Sequence, residues 1–253
     1  MLLVFLLTSA CLVTSRAAEP CPLQASEQKA LTLAQEPRGK IAWFTGRYEE
    51  LLEQAKNTKR IVFLDFYSRS NAYSKKLEKS TYSDPRVVAE LPDVLSFPID
   101  ADDRESKPLR KCFQVQNAPA LVFLDPDGSL RDQISGFVAA EPFLQELRRI
   151  KANKGTFSDL RARIKKDEND LDSRWELACK LRSMGDLVGY ETQVSELRER
   201  DPEGHSRASR RLRLSASGCV ATSPDAACAA QSEMPAPYTR RPEGLTATGP
   251  GVV

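Results

Sequence analysis

Three short apolar segments, separated by segments of helical character, restrict this chain more than any other feature. They span residues 60–67, 94–100 and 120–124 and are rich in β-branched and aromatic residues. Runs of this length and composition are typical of strands buried on both faces of a sheet. The chain is therefore predicted to be an α/β protein.

Segments with helical spacing of apolar residues alternate with these strands. We expect helices over 45–56, 71–80, 84–91, 105–113 and 141–152. The turn sequence Asp125-Pro126-Asp127-Gly128 leads into a more polar strand near 129–134. The order β-α-β-α-β-β-α, with a leading helix, predicts a three-layer sandwich. Its sheet should be mixed and mainly parallel, with an antiparallel hairpin at one edge.

Composition divides the chain into five parts. Residues 1–18 are apolar and end in small residues, as in a signal peptide. Residues 19–40 form an irregular lead-in, and residues 41–153 carry the α/β domain. Residues 155–203 have helical periodicity without a strand signal. Residues 204–253 are rich in Ser, Ala, Pro, Gly and Arg, so we expect this tail to be disordered.

The signal peptide predicts export, to a periplasm or another extracytoplasmic compartment. The sequence around Cys11 leaves lipoprotein anchoring as a second option. No stretch of the mature chain approaches the ~20 apolar residues of an integral membrane span. The mature chain would keep five cysteines, an odd number whose disulfide connectivity the sequence does not give: Cys21, Cys112, Cys179, Cys219 and Cys228. A loop between the last two is one possibility.

Charge and histidine content exclude several classes of function. Residues 205–253 carry six arginines against three acids, which leaves 31 bases and 32 acids in residues 1–204. A near-neutral body is not suited to binding nucleic acid, which needs a basic surface. The single histidine, His205, lies in the predicted tail. We therefore expect no Ser–His–acid triad, no metal site and no cofactor in the folded body.

Three stretches carry a family resemblance: Phe63–Glu78, Thr81–Val87 and Asn117–Gly128. They resemble the thioredoxin-like superfamily, and within it the C-terminal periplasmic domain of the thiol:disulfide interchange protein DsbD. The resemblance covers roughly residues 41–150 and implies a thioredoxin fold. Pro119 matches the family's cis-proline, beside which the family pairs with extended substrate peptide.

The chain departs from this family at the redox motif. The resemblance aligns Asn71 and Ser74 with the two cysteines of the CxxC motif, and Ser70 with the active-site tryptophan. Disulfide exchange needs a thiolate and a second, resolving thiol, and an amide and a hydroxyl supply neither. Both residues are also good helix-start residues, so capping alone could explain them.

Asp65 matches the family's buried acid, which assists proton transfer to the resolving thiol. With no thiol to serve, it is either a hydrogen-bonded relic or a pH-sensitive group in a surviving pocket. Burial should raise the pKa of a lone carboxylate, so we expect that Asp65 can be neutral. Cys112 and Cys179 lie in helical segments and are interpreted as inert, buried thiols.

From these observations we predict that the protein binds another protein or an extended peptide without catalysing a reaction, in an adaptor or chaperone-like role. The predicted contact residues surround the degenerate motif and the cis-proline: Ser70, Asn71, Ala72, Tyr73, Ser74, Ala118 and Pro119. One alternative is a thiol-disulfide oxidoreductase that uses Cys112 or a tail cysteine. The other is a structural component of an envelope assembly.

The helical extension weakly resembles one tetratricopeptide repeat, through Leu177-Ala178, Gly185-Asp186 and Asp201-Pro202. Such repeats need about three copies to bury a continuous core. A single copy is therefore expected to pack on the thioredoxin-like domain, with a peptide groove or self-association as alternatives.

Overall fold

A four-stranded sheet forms the centre of the computed structural model, which describes residues 38–216. The strands are β1 (Val62–Tyr67), β2 (Leu95–Asp100), β3 (Ala120–Leu124) and β4 (Leu130–Ser135), in the order β2-β1-β3-β4. The α/β class and the mixed sheet are confirmed. The expectation of a mainly parallel sheet is wrong, because only β1 and β2 are parallel, while β1–β3 and β3–β4 are antiparallel.

The direction of β3 explains this error. A helix between two strands usually signals a parallel crossover, and residues 101–119 contain helical segments between β2 and β3. The chain nevertheless crosses β1 and returns in the opposite direction. Only the placement of β3 beside β1, with Leu64 opposite Val122, reveals that direction.

Helices cover both faces of the sheet, close to the predicted positions. Those between residues 38 and 153 are α1 (Tyr48–Thr58), α2 (Ala72–Lys76), α3 (Pro85–Glu90), α4 (Lys107–Cys112) and α5 (Ala140–Lys151). A π-helical turn, Leu77–Thr81, continues α2, and a 3-10 turn, Arg104–Ser106, precedes α4. The helical extension contributes α6 (Phe157–Lys166), α7 (Leu171–Ser183), α8 (Leu187–Arg200) and α9 (Arg207–Ala216).

Successive side chains of a strand point to opposite faces of the sheet, and this divides the hydrophobic core into two halves. Phe63 of β1 points to the face covered by α3 and α5, where it stacks on Phe123 with ring centroids 5.0 Å apart. Leu64 and Phe66 point to the opposite face, which α1 and α4 cover. Because both faces are covered, every residue of β1 is buried.

The helical extension completes the second half of this core. Phe157 and Leu160 of α6 and Leu177 and Leu181 of α7 belong to the same buried cluster as the strands. The extension therefore packs on the α/β domain, as expected for a single helical repeat. Gly185, with a φ of +88°, ends α7 where the sequence predicted a break.

Helix α9 corrects the expected start of the disordered tail. Ala208 and Leu212, one turn apart, are buried against Trp175, Val194 and Leu197. Because this segment is rich in arginine, its two buried apolar residues were not recognised in the sequence as a helix face. Contacts with α7 and α8 stabilise this face. The rest of the predicted tail, the signal peptide and most of the lead-in lie outside the described residues. No helix within residues 38–216 combines the length and apolarity that crossing a membrane requires.

Candidate functional site

The start of α2 lies beside the loop before β3, so the fold brings together the two halves of the predicted site. Asn71 caps α2, since its Oδ1 accepts hydrogen bonds from the Tyr73 and Ser74 amides at 2.8 and 3.2 Å. Its Nδ2 donates to the Ala118 carbonyl at 3.0 Å. The Ala118–Pro119 peptide bond is cis, as predicted. The Asn71 side chain thus links the helix to the cis-proline loop.

Ser74 supports the packing inside the site and is not part of its exposed surface. Its side chain is fully buried, and its Oγ accepts a hydrogen bond from the Ser68 amide at 3.2 Å. The prediction that Ser74 contacts a partner is therefore wrong, because the first turn of α2 presses this hydroxyl against the end of β1. Ser70, Ala72 and Tyr73 are exposed beside it.

Asp65 lies beneath this helix and is completely buried. Its Oδ2 accepts a hydrogen bond from Arg38 Nε at 3.0 Å. The same guanidinium lies 3.7 Å from the centre of the Tyr67 ring and donates to the Ser74 carbonyl at 3.3 Å. Asp65 is thus not the lone carboxylate that the sequence suggested, because Arg38 of the lead-in pairs with it.

Burial outweighs this ion pair in setting the charge of Asp65. Desolvation raises the pKa of Asp65 to about 6, although the nearby Arg38 charge acts to lower it. The buried Tyr82 hydroxyl interacts electrostatically with the carboxylate, but it does not reach the full geometry of a hydrogen bond. The expected upward shift of the Asp65 pKa is supported, and the carboxylate is charged above pH 6.

A groove of about 910 Å³ runs from this site to the helical extension. The groove is lined by Tyr73, Pro119 and the end of β4 and, from the helical extension, by Lys180 and Arg182 near the end of α7 and by Gly185 after it. Tyr73 is 54% exposed, and its ring lies 6.4 Å from that of Phe137. The site residues that face solvent therefore form the mouth of a groove that the extension helps to build.

Cys112 and Cys179 are both disulfide-bonded. Their interpretation as inert thiols is therefore wrong, because neither sulfur carries a free thiol in this structure. The sequence could not reveal this, because neither cysteine belongs to a spaced motif. Cys179 lies in the wall of the groove.

Sequence reasoning did not find three contributors to the site. Arg38 lies in a lead-in that was predicted to be irregular, Phe137 follows a polar strand, and α7 belongs to the weakly repeat-like extension, whose position beside the site was not predicted. Only an aromatic residue after a polar hairpin could have suggested Phe137. Within residues 38–216, no group of three or more His, Cys, Asp or Glu side chains is arranged to hold a metal ion.

Comparison with known proteins agrees with this geometry. Residues 48–151 match the thioredoxin-like domain family. The thiol:disulfide interchange protein DsbD of Ralstonia nicotianae is 38% identical over 104 residues, which are 40% of this chain and 17% of that protein. DsbD of Vibrio vulnificus is 33% identical over 109 residues, or 40% of this chain and 18% of that protein. The chain thus spans less than a fifth of the length of these relatives.

Solved structures include similar domains. A thioredoxin from Thermus thermophilus is 26% identical, covers 44% of this chain and 86% of its own, and gives a TM-score of 0.40. The oxidised C-terminal domain of DsbD from Neisseria meningitidis is 22% identical, with a TM-score of 0.36. It covers 40% of this chain and 90% of its own.

Proposed function

Since residues 48–151 of this chain form a thioredoxin-like domain, related to one in thiol:disulfide interchange proteins, we propose that the protein binds polypeptide without exchanging disulfides there. One observation carries this proposal: Asn71 and Ser74 stand at the motif positions with their polar atoms held in intramolecular hydrogen bonds. The site thus keeps its framework without a thiol.

The absence of a nucleophile follows from chemistry and burial together. An amide cannot form a thiolate, and a serine hydroxyl is unreactive near neutral pH without an adjacent base. Ser74 is fully buried, and the nearby Asp65 is held by Arg38. Among residues 38–216, the hydrogen-bond partner of the Ser74 hydroxyl is the Ser68 amide and not a side chain that could act as a general base.

The exposed aromatic surface beside Asn71 supports the proposed binding of polypeptide. Tyr73 and Phe137 form an aromatic pair at the groove mouth, and Lys76 Nζ lies 4.3 Å from the centre of the Phe137 ring. Exposed aromatic residues beside a groove are typical anchors for a polypeptide partner. The partner we propose is a protein or an extended peptide.

The compartment belongs to the same proposal. The apolar N-terminal segment predicts export, and disulfide bonds at Cys112 and Cys179 fit an oxidising compartment. We infer that the protein works outside the cytoplasm, where unfolded or partly folded polypeptides would be its partners.

The second candidate function is thiol-disulfide exchange at the groove wall. Cys179, which is disulfide-bonded, lines the same groove as Pro119, which favours this alternative over a purely structural role. A thiolate of a substrate would attack one sulfur of this disulfide, form a mixed disulfide and release the other sulfur as a thiolate.

A reductase assay distinguishes the two functions. The full chain is compared with Asn71→Cys/Ser74→Cys and with Cys179→Ser in the dithiothreitol-driven reduction of insulin. We expect no turnover by the wild type and a gain in the double variant. Turnover by the wild type that Cys179→Ser abolishes would reject our proposal in favour of exchange at the groove wall.

A further inference from the structure

Cys179 lies on the face of α7 that is turned away from the core of the α/β domain. Leu177 and Leu181 of α7 are buried in the core cluster around the sheet. Cys179 is two residues from each of them, which turns it about 200° around the helix axis. It packs against the cluster that α7 and α8 form with Leu212 of α9, and it lines the groove. The partner in its disulfide bond therefore approaches from the side of α9 and the groove.

Cys112 is the other cysteine within residues 38–216, and its position does not suit this bond. It packs against the core cluster that the opposite face of α7 helps to form. The two Cα atoms of a disulfide lie about 4.4–6.8 Å apart, whereas a helix with its side chains is about 10 Å across. This geometry favours a partner for Cys179 beyond residues 38–216.

The C-terminal segment that follows α9, residues 217–253, begins beside the groove. Arg211 of α9 lines the groove together with Cys179. The segment carries two cysteines, Cys219 and Cys228. Three residues lead from the end of α9 to the first of them, and this length of extended chain spans ~10 Å. A tail cysteine is therefore within reach of Cys179.

The cysteines of the N-terminal part are connected to the fold at a different place. The chain that follows Cys21 joins the described fold at Arg38, which lies beneath α2 beside Asp65. The shorter connection from α9 closes a loop to the groove at a lower entropic cost. The C-terminal segment is thus the better source of a partner for Cys179.

The groove lining also fits an occupant from this chain. Arg182 of α7 and Arg211 of α9 line the groove, and both have interaction partners within the chain. A foreign ligand is therefore not needed to neutralise them. Residues 217–230 contain no side chain larger than Val or Asp, so this part of the segment can lie close to the groove wall.

We propose that the C-terminal segment covers the groove, tethered to Cys179 by a disulfide bond from one of its two cysteines. The tether raises the local concentration of the segment to about the millimolar range. A polypeptide partner must then displace the segment before it can occupy the groove. This displacement rests on the proposed polypeptide binding, whereas the tether and the coverage of the groove do not.

Tryptic mapping of the full chain without reductant tests the tether. Cleavage after Arg and Lys places Cys179 in peptide 175–180 and both tail cysteines in peptide 214–240. We expect these two peptides to be joined by a disulfide bond and to separate after reduction. A bond from peptide 175–180 to the peptide that carries Cys112 or Cys21 would overturn the proposal, as would a free Cys179 thiol.

Hydroxyl-radical footprinting tests whether the segment covers the groove. In the full-length variant Cys219→Ser/Cys228→Ser, oxidation of Tyr73 and Phe137 in the groove lining should rise about twofold or more, because the segment loses its tether. Ser223→Ala changes the same segment but keeps both cysteines, so this matched control should behave like the wild type. If the disulfide is found but oxidation of both aromatic residues is unchanged in the cysteine variant, coverage of the groove is rejected.

Binding of an unfolded polypeptide separates this inference from the proposed function. Fluorescence anisotropy with labelled, reduced and carboxymethylated α-lactalbumin should show about fivefold or tighter binding to the cysteine variant than to the wild type. Equal affinity for both proteins would contradict coverage of the binding surface. If neither protein binds this probe, the proposed function fails, while mapping and footprinting still decide the tether and the coverage.

Discussion

At the scale of single residues, Asp65 makes stability depend on pH. Its pKa is raised from 3.8 to about 6 by burial. Between these values the folded chain holds a proton that the unfolded chain releases. The Asp65 contribution to the free energy of unfolding is therefore present below about pH 4 and is lost as the pH rises through 6. The loss is on the order of 3 kcal/mol.

The Arg38→Met variant tests the ion pair between Arg38 and Asp65, which limits the loss of stability above pH 6. Above pH 6 the variant leaves a buried carboxylate without its counter-charge, whereas at pH 5 the carboxylate is mostly neutral. We expect urea denaturation to show a larger destabilisation by Arg38→Met at pH 8 than at pH 5. In an Asp65→Asn background the effect of Arg38→Met should not change with pH. Equal destabilisation of the wild-type background at both pH values would contradict the ion pair.

Asn71 has two roles that substitution can separate. Asn71→Ser keeps an acceptor for the cap of α2 but removes the donor to Ala118, and should cost about 1 kcal/mol. Asn71→Ala removes both, so the loss in the free energy of unfolding should rise to about 2 kcal/mol. Chemical denaturation measures both values. If the serine variant is as unstable as the alanine variant, the link to Ala118 dominates and the cap contributes little.

At the scale of secondary structure elements, ion pairs of Asp132 link the helical extension and α5 to the sheet. This buried carboxylate of β4 accepts from Arg149 of α5 at 2.5 Å and from Lys180 of α7 at 2.7 Å. Asp132→Asn should destabilise the fold by about 2–3 kcal/mol. The value is lower than for a fully buried pair because both cations are about a quarter exposed.

Limited proteolysis shows which elements Asp132 holds. Asp132→Asn should expose the α6–α7 region to trypsin before the rest of the domain is cleaved. Glu146→Gln is the matched control, since Glu146 also pairs with Arg149, at 2.8 Å, but is 40% exposed. It should leave the cleavage pattern unchanged. Uniform cleavage of Asp132→Asn throughout the chain would show that the carboxylate supports the whole fold instead.

At the scale of the whole molecule, the helical extension and the α/β domain share one core. Leu181 of α7 is buried in the cluster that contains β1 and β3, whereas Leu187 at the start of α8 is 61% exposed. Leu181→Ala should cost about 2–5 kcal/mol, and Leu187→Ala about 0.5 kcal/mol or less. A single cooperative thermal transition in both variants is expected. Loss of α7 and α8 in a separate early transition would mean that the extension folds independently.

Local sequence patterns were sufficient to predict the class of fold and the positions of the strands and most helices. Local periodicity and turn chemistry encode these features, because burial on a helix or strand face imposes its spacing on neighbouring residues. The cis peptide bond before Pro119 was likewise predicted, from the resemblance alone.

Tertiary structure decided the features that depend on distant contacts. The direction of β3, the pairing of Arg38 with Asp65, the burial of Ser74 and the order of α9 all require partners more than a few residues away. The groove exists only because α7 lies opposite β4. The physical reason is that hydrophobic spacing specifies which face of an element is buried, but not which other element covers it.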